Sequence, residues 1–330
     1  MAQVSAETPA APVPTVGHWL AFSAIVVVLL ALDLIVFHRD SHEPTMRESA
    51  VWTVIWCSLA LAFNVLIWMW RGPEIGIEFL TGYLVEWSLS MDNVFVFAVI
   101  FSFFGVPLKY QYRVLFWGIL GAIVMRLSFI LAGAALLERF HWTLWIFGAF
   151  LIYTGIKLAM HSDTKVDPQR NLFFRVAKRL LPVAQENHGE QFFAVENGRR
   201  CVTPLFLVLL VVESTDVIFA VDSVPAIFGV TDDTFTVFTS NIFAILGLRA
   251  LYFLLAGAID VFRFLNYGLA AVLIFVGVKM VGDYWTGHLL VTPGVSLAII
   301  VSLLGVSIVA SIIAKRRETA AKISQPGAGY

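Results

Sequence analysis

Long apolar segments alternate with short polar ones along almost the whole chain. The nine apolar segments cover residues 18–38, 50–70, 78–104, 113–137, 141–160, 204–228, 236–258, 261–283 and 289–314. A helix needs about 20 apolar residues to cross a bilayer, and it must satisfy its own backbone hydrogen bonds because lipid offers none. The pattern therefore predicts an all-α, polytopic membrane protein with about nine transmembrane helices.

Composition agrees with this interpretation. Of the 330 residues, 59% are hydrophobic and only 14% are charged, whereas soluble domains carry about 25% charged residues. The two cysteines are too few for a disulfide framework. Residues 1–17 are rich in Ala and Pro and contain no Lys or Arg, which predicts a disordered outer tail rather than a signal peptide.

The basic residues lie mostly on one side of the predicted membrane. Sixteen of the 22 Lys and Arg residues fall in the connections after spans one, three, five and seven and in the tail, residues 315–330. Only Arg71 and Arg139 fall in the connections on the other side. Because cytoplasmic loops carry the positive excess, we expect a multi-pass protein of the inner (cytoplasmic) membrane with its N-terminus outside and its C-terminus in the cytoplasm.

The connection 161–203 is predicted to be a basic cytoplasmic loop. Within it, residues 171–181 place apolar side chains on one helical face and Arg175, Lys178 and Arg179 off that face. We interpret this segment as a helix lying on the anionic inner leaflet. A regulatory or docking role is the alternative.

Two parts of the chain resemble each other in sequence. The matches are Leu151–Lys157 with Leu273–Lys279 at an offset of 122, Ile130–Ala135 with Leu254–Ile259 and Asp92 with Asp216 at 124, and Arg126 with Arg249. They predict a repeat A over 78–160 and a repeat B over 204–283, preceded by two helices over 18–70 and followed by one over 289–314. Since each repeat has three spans, the copies must be inverted, as in secondary transporters that bind substrate at the midplane.

Acidic residues interrupt the middle of spans three and six. The candidate metal ligands are Glu86, Asp92 and Asn93 in span three, and Glu213, Asp216, Asp222 and Ser223 in span six. Carboxylates cost a few kcal/mol each at the centre of a span, so their usual role is functional. Pro225 should kink or unwind residues 221–225 and free the Val221 carbonyl as a further oxygen ligand. A buried polar network that only holds helices together is the alternative.

The chemistry of these ligands selects a class of ion. All of them offer oxygen, which suits Mg²⁺, Ca²⁺ or Mn²⁺. The histidines lie in loops or at span ends and no cysteine is near, which argues against Zn²⁺ and Cu⁺, and the carboxylates would repel an oxyanion.

The other charged residues in or next to the spans are interpreted mainly as structural. Arg126 and Arg249 are possible counter-charges: either they pair with the site carboxylates when the site is empty, or they anchor neighbouring helices. Lys157 and Lys279 are expected to snorkel, and Asp33 is expected to act in helix packing. Asp232 and Asp233 are interpreted as a solvated turn, with an acidic vestibule as the alternative.

Three motifs resemble the TerC/Alx family of integral membrane proteins. They are Ser90–Asn93, Glu213–Phe228 and Phe238–Tyr252, and the resemblance extends over roughly residues 30–315. The family is linked to tellurite resistance by name and to Mn²⁺ export by function, and some members respond to pH. The resemblance thus implies Mn²⁺, which the oxygen ligands alone do not separate from Ca²⁺ or Mg²⁺.

These observations lead to the expectation of a Mn²⁺ exporter coupled to protons. It would need no cofactor beyond the transported ion, and it would bind the lipid bilayer but no nucleic acid. The alternative is a non-enzymatic accessory protein that supplies metal to secreted or membrane enzymes, with the protein translocation machinery or a second copy of the chain as partner. An intramembrane aspartyl protease ranks last because the Gly-x-Gly-Asp signature is missing.

Overall fold

Eleven helices and one β-hairpin form the described part of the chain. The computed structural model describes residues 12–37, 45–160, 171–184, 189–196, 198–256 and 264–323. The elements are α1 (Val16–Phe37), α2 (Met46–Arg71), α3 (Pro73–Phe103), α4 (Leu108–Arg139), α5 (Thr143–Met160), α6 (Leu172–Leu180), β1 (Phe193–Glu196), β2 (Arg199–Val202), α7 (Pro204–Phe228), α8 (Thr234–Leu246), α9 (Leu248–Ala256), α10 (Leu265–Thr286) and α11 (Pro293–Ile323).

The helices confirm an all-α, polytopic membrane protein. Within the described ranges, eight helices are long and apolar enough to cross a membrane, and α8 with α9 makes a ninth if that pair, bent by 41°, is one span. The bend lies at Gly247, inside the span predicted over 236–258. Most of the predicted outer tail, residues 1–11, and the last residues of the predicted tail, 324–330, lie outside the described residues. Helix α11 runs beyond the predicted span end, to Ile323.

The centre of the bundle is formed by α3, α4, α7 and α8, which pack closely on one another. Every residue of α8 from Phe235 to Leu246 is buried. Rings on three other helices surround one part of α8: Phe22, Phe63 and Phe79 pack against its Phe243. Because α8 is covered on all sides, its polar side chains must find partners within the protein.

Helices α5 and α10 are the most extensively packed pair, and glycines bring their backbones into contact. A Cβ atom built on Gly148 would lie 2.9 Å from the Gly277 carbonyl oxygen, and one built on Gly155 would lie 2.8 Å from the Ala270 carbonyl oxygen. The two helices are therefore antiparallel, because the earlier residue of α5 meets the later residue of α10. Small residues allow such close packing in membranes, where dispersion rather than the hydrophobic effect drives helix association.

Helix α6 and the hairpin cap one end of the bundle, which we call the hairpin end. The predicted amphipathic helix over 171–181 is confirmed as α6, with Asn171 as its N-cap. The hairpin, in which Phe193 pairs with Val202, was not predicted. Side chains of α6, β2 and α7 form a small apolar cluster that includes Ala177, Val202 and Leu207. The turns before α3 and α8 lie at the opposite end, where Arg71 contacts Asp233.

The unwinding expected at Pro225 is wrong. Helix α7 continues without interruption from Pro204 to Phe228. Pro225 lies in the last turn of α7. Its missing N–H removes only one backbone hydrogen bond before the helix ends. The Pro225 carbonyl itself accepts from Gly229 N at 3.0 Å and closes the helix.

Candidate cation site

Arg126 of α4 lies at the centre of a buried polar network that joins four helices. Its guanidinium forms an ion pair with Glu86 of α3. The same Nη1 group donates to Ser223 Oγ of α7 at 2.9 Å and to Asn241 Oδ1 of α8 at 3.2 Å. Asn241 Nδ2 in turn donates to Glu86 Oε2 at 3.1 Å. All four residues are 3% exposed or less, so the network replaces the water that these groups would otherwise bind.

Asp216 adds a second carboxylate to the same arginine. Its Oδ1 lies 3.8 Å from Arg126 Nη2, and its Oδ2 has no hydrogen-bond partner among the described residues although Asp216 is 3% exposed. Two carboxylates therefore share one guanidinium. The uncompensated acceptor on Asp216 is the kind of atom that a cation or a proton would satisfy.

A second polar group lies next to this network, around a small, partly open cavity of about 80 Å³. Its acidic members are Asp92 of α3 and Asp222 of α7. Thr154 Oγ1 of α5 donates to Asp222 Oδ1 at 3.3 Å. Asn93 and Ser223 complete the polar lining. The volume is enough for several waters or a partly hydrated ion.

The remaining predicted ligand, Glu213, lies on the other side of Asp216. Its carboxylate packs over Gly121 of α4, where any side chain would overlap it. Glu213 is one turn before Asp216 on α7 and interacts electrostatically with it. Glu213 is half-buried.

The structure therefore distributes the seven predicted ligands over two adjacent groups and one flanking carboxylate. We call the first group the arginine network (Glu86, Arg126, Asp216, Ser223 and Asn241) and the second the aspartate cavity (Asp92, Asn93, Thr154, Asp222 and Ser223). Ser223 belongs to both, and Arg126 also lines the cavity. In the described ranges no three Asp, Glu, His or Cys side chains are close enough together to hold a metal ion. The ligands are neighbours, but they do not converge on one point in this conformation.

The contacts between these residues follow a different spacing from the sequence match between the two halves, which stays a prediction. Matching Asp92 with Asp216 uses an offset of 124. The contacts instead bring Glu86 together with Asp216, at Arg126, and Asp92 together with Asp222, at the cavity. Both pairs have an offset of 130, which matches Glu86-x₅-Asp92-Asn93 with Asp216-x₅-Asp222-Ser223.

Of the two candidate counter-charges, only Arg126 lies at the site. Arg249 of α9 forms an ion pair with Asp33 of α1, and its guanidinium lies 4.5 Å from the Tyr112 ring centroid. Arg249 thus joins helices rather than balancing the predicted ligands, and Asp33 has the packing role expected of it.

The expectation of snorkelling is wrong for Lys279. Its side chain is 8% exposed, and Nζ donates to the Gly229 carbonyl at 3.1 Å and lies 3.4 Å from Asp283 Oδ2. It is held inside because the end of α7 offers a buried carbonyl acceptor. Lys157 is exposed, and it interacts electrostatically with Asp222.

Two residues of these polar groups were not predicted from the sequence. Asn241 and Thr154 are part of the two groups, but neither carries a charge that would mark it in an apolar segment. An Asn in the middle of a predicted span is a usable signal, since its amide must be paired inside the membrane. Thr154 gives no comparable signal, because a Thr can bond to its own helix backbone.

At the opposite end, Asp233 has a defined structural role and is not a freely solvated turn residue. Arg71 donates to both of its carboxylate oxygens, at 2.7 and 2.9 Å, and Asp233 accepts from Thr236 N at 2.7 Å as the N-cap of α8. Burial acts to raise the pKa of Asp233, but the hydrogen bonds from Arg71 and Thr236 outweigh it and hold the pKa below its usual range. Asp232 is exposed, as a solvated turn requires.

Comparison with known proteins gives a consistent result. A family model described as the integral membrane protein TerC family matches residues 71–319. The chain is 50% identical over 311 residues to the uncharacterized membrane protein STKORF319 of Myxococcus xanthus, covering 94% of this chain and 96% of that one. It is 45% identical over 293 residues to the putative membrane-bound redox modulator Alx of Escherichia coli K12, covering 86% and 91%, and 39% identical over 298 residues to an uncharacterized membrane protein of Rickettsia bellii, covering 90% and 97%. No solved structure matches this one. The chain belongs to the TerC family of integral membrane proteins.

Proposed function

We propose that this protein exports Mn²⁺ from the cytoplasm across the inner membrane, with its N-terminus outside and the hairpin end in the cytoplasm. The observation that carries the proposal is the aspartate cavity, in which Asp92 and Asp222 come from different halves of the chain and line one space of about 80 Å³. Asn93, Thr154 and Ser223 also offer oxygen to this space, whereas Arg126, the remaining polar residue of the lining, offers a positive charge instead. Such a donor set suits a hard divalent cation.

The charge of the site supports exchange for protons. Five carboxylates (Glu86, Asp92, Glu213, Asp216 and Asp222) surround or adjoin Arg126, while Arg249 is paired elsewhere with Asp33. With every carboxylate ionised, a divalent cation and one arginine leave a net charge of −2 at the site, and without the cation it is −4. Like charges at this density favour protonation, so release of the cation would be accompanied by proton uptake.

Alternating access of two inverted repeats is the transport movement that we propose. Support comes from the contact between α5 and α10. At the offset of 122, Gly148 matches Ala270 and Gly155 matches Gly277. The contact Gly148–Gly277 is therefore equivalent to the contact Gly155–Ala270, with the two repeats interchanged. A two-fold relation between the halves would produce that exchange.

The test is Mn²⁺ uptake into everted membrane vesicles. Vesicles with the intact chain should accumulate Mn²⁺ and dissipate an imposed pH gradient while doing so. Asp222→Asn and Asp92→Asn should each reduce uptake by tenfold or more at equal protein, because each removes a ligand charge. Asp232→Asn is the matched control, since that aspartate is exposed at the opposite end. Normal uptake by Asp222→Asn would refute the site, and uptake that follows membrane potential but ignores the pH gradient would refute proton exchange.

Delivery of metal to secreted or membrane enzymes is the alternative function. Exposed apolar side chains at the hairpin end, such as Phe193 and Val195, are compatible with a protein partner. An accessory protein of this kind would give no Mn²⁺ flux when the purified chain is alone in proteoliposomes, and that measurement separates the two functions.

The relatives named redox modulators raise a further possibility, thiol chemistry. The two cysteines of this chain are free and lie in different elements, Cys57 in α2 and Cys201 in β2. Cys57 Sγ lies 3.4 Å from Tyr83 Oη, and Cys201 Sγ lies 3.4 Å from the Ala194 carbonyl. Each thiol contacts a different group, and no disulfide joins the two, so a dithiol switch is not favoured.

A further inference from the structure

Helix α6 divides its surface into three sectors. At 100° per residue, Phe174 and Ala177 share one sector, which packs against the bundle, with Phe174 on Phe104. The second sector carries Phe173, Val176 and Leu180, which are 57%, 45% and 73% exposed. The third carries the basic side chains Arg175, Lys178 and Arg179, all exposed. A helix that packed only on this protein would not need the second sector.

The hairpin extends the same surface. In β1, Phe193 and Val195 are each 64% exposed and alternate with the buried Ala194. In β2, Arg199 and Arg200 are exposed. The unit of α6 and the hairpin therefore presents five exposed cations beside five exposed apolar side chains, and its described acidic residues are Glu190 and Glu196.

The position of the unit along the bundle sets its depth relative to a membrane. Val202 of β2 and Ala177 of α6 pack on Leu207, which lies in the first turn of the span that begins at Pro204. Asn171, at the start of α6, contacts Ser214, seven residues further along α7. The exposed apolar sector therefore extends from the level where the span enters the bilayer towards its interior. Apolar side chains at this level with basic ones beside them are complementary to an anionic leaflet, not to water.

We propose that α6 and the hairpin form one docking surface for anionic phospholipid headgroups, with the apolar sector of α6 inserted among the acyl chains. The surface is connected to the acidic helix. Asn171, the N-cap of α6, donates from Nδ2 to Ser214 Oγ of α7 at 2.7 Å and accepts from Phe174 N at 3.2 Å. Ser214 is buried and adjoins Glu213. Seating of α6 on the leaflet therefore fixes the position of a hydrogen bond next to the candidate site.

The docking is tested with a fluorescent label. In a full-length chain with Cys57→Ala and Cys201→Ala, a polarity-sensitive dye is attached at Val176→Cys in the apolar sector or at Lys178→Cys in the basic sector. In nanodiscs that contain phosphatidylglycerol, brominated acyl chains should quench the dye at position 176 several times more strongly than at 178. Equal quenching at both positions, or a dye at 176 that stays in water, would overturn the proposal and favour a protein partner for this surface.

The role of charge is tested by hydrogen exchange of the α6 amides. Adding phosphatidylglycerol to phosphatidylcholine nanodiscs should slow exchange tenfold or more, since each basic side chain near an anionic surface contributes about fivefold in binding. The triple variant Arg175→Gln, Lys178→Gln, Arg179→Gln should lose most of this response, since only Arg199 and Arg200 of the five cations remain. Arg139→Gln, which changes an exposed arginine at the opposite end, should keep it. A triple variant that still responds fully would refute docking by charge.

The link to the site rests on the proposed function and has its own measurement. Mn²⁺ flux in proteoliposomes should rise with phosphatidylglycerol in the intact chain and lose that dependence in Asn171→Ala, while the dye at 176 is still quenched. Flux that ignores lipid charge, together with normal quenching, would refute the link and leave the docking surface standing. Flux that is zero in every lipid would instead refute the transport function.

Discussion

Removing both partners of the buried pair Arg126–Glu86 should destabilise the protein by clearly less than the sum of the two single losses. Glu86 is 0% exposed and Arg126 is 1% exposed, so neither charge can turn to water. Truncating one partner of a buried pair costs about 3–5 kcal/mol, because the other charge is left without compensation. In Arg126→Met the uncompensated groups are Glu86 and Asp216, which share that guanidinium.

The measurement is a double-mutant cycle on thermal unfolding in nanodiscs, followed by the fluorescence of the ten tryptophans. At this chain length about 2 °C is lost per kcal/mol, so Arg126→Met should lower Tm by roughly 6–10 °C. Glu86→Gln should lower Tm by less, because Arg126 keeps Asp216 as a partner. The double variant leaves a neutral Gln beside Asn241 and should be at least about 2 kcal/mol more stable than the sum of the single losses predicts.

Arg249→Met provides the matched control, because Arg249 forms the other buried pair, with Asp33. Arg249→Met should lower Tm by a similar amount but keep its Mn²⁺ uptake per folded molecule. Arg126→Met should lower both Tm and the uptake per folded molecule. Strictly additive losses in the cycle, or a Tm of Arg126→Met within about 2 °C of the intact chain, would refute the argument that Arg126 compensates these carboxylates.

Three further predictions concern other contacts. Gly277→Val should prevent α10 from reaching the Gly148 carbonyl on α5 and give a chain that inserts but unfolds at lower temperature, and normal Tm would contradict the close approach. Lys279→Met leaves the Gly229 carbonyl without its buried donor and should cost about 1–3 kcal/mol, measured as a lower Tm with unchanged membrane insertion. In the folded chain the pKa of Asp233 is lowered, because hydrogen bonds from Arg71 and Thr236 outweigh burial. The contribution of Asp233 to stability is therefore complete at any pH above the usual pKa of an aspartate, and it is lost as the pH falls through the lowered pKa. The Tm difference between the intact chain and Asp233→Asn should therefore be constant from about pH 8 to pH 5 and disappear in stronger acid, and a difference that already vanishes near neutral pH would contradict this sign.

The spans were predictable because each is a long run of almost exclusively apolar residues. A run of about 20 apolar residues has few alternatives to a membrane helix, and α6 was predictable because its apolar and basic residues follow the helical period. The hairpin over 193–202 was missed, since its two strands of four residues each are too short for a reliable alternation pattern. The break at Gly247 was also missed, because an isolated Gly is common in membrane helices and gives no specific signal.

The candidate site was predictable in its residues but not in its arrangement. Carboxylates inside a membrane span are rare because they are energetically unfavourable there, so they are easy to find in a sequence. All the carboxylates predicted as metal ligands lie at or beside the two polar groups. Which of them meet depends on the register between α3 and α7, which similar Val, Phe and Ala strings in the two segments leave ambiguous: the offset of 124 and the offset of 130 both match an Asp with an Asp. Arg249 could not be assigned from sequence because its partner, Asp33, lies 216 residues away.

The contact between α5 and α10 has a consequence for how the chain is made. Helix α5 ends at Met160 and α10 begins at Leu265, so its main partner is still 105 residues from being synthesised when α5 is complete. Since synthesis proceeds at about 5–20 residues per second, α5 stays without α10 for roughly 5–20 s. During that time Gly148 and Gly155 face lipid or a chaperone. Assembly of the bundle is therefore completed late, and a chain that stops before α10 leaves that glycine face open to quality-control proteases.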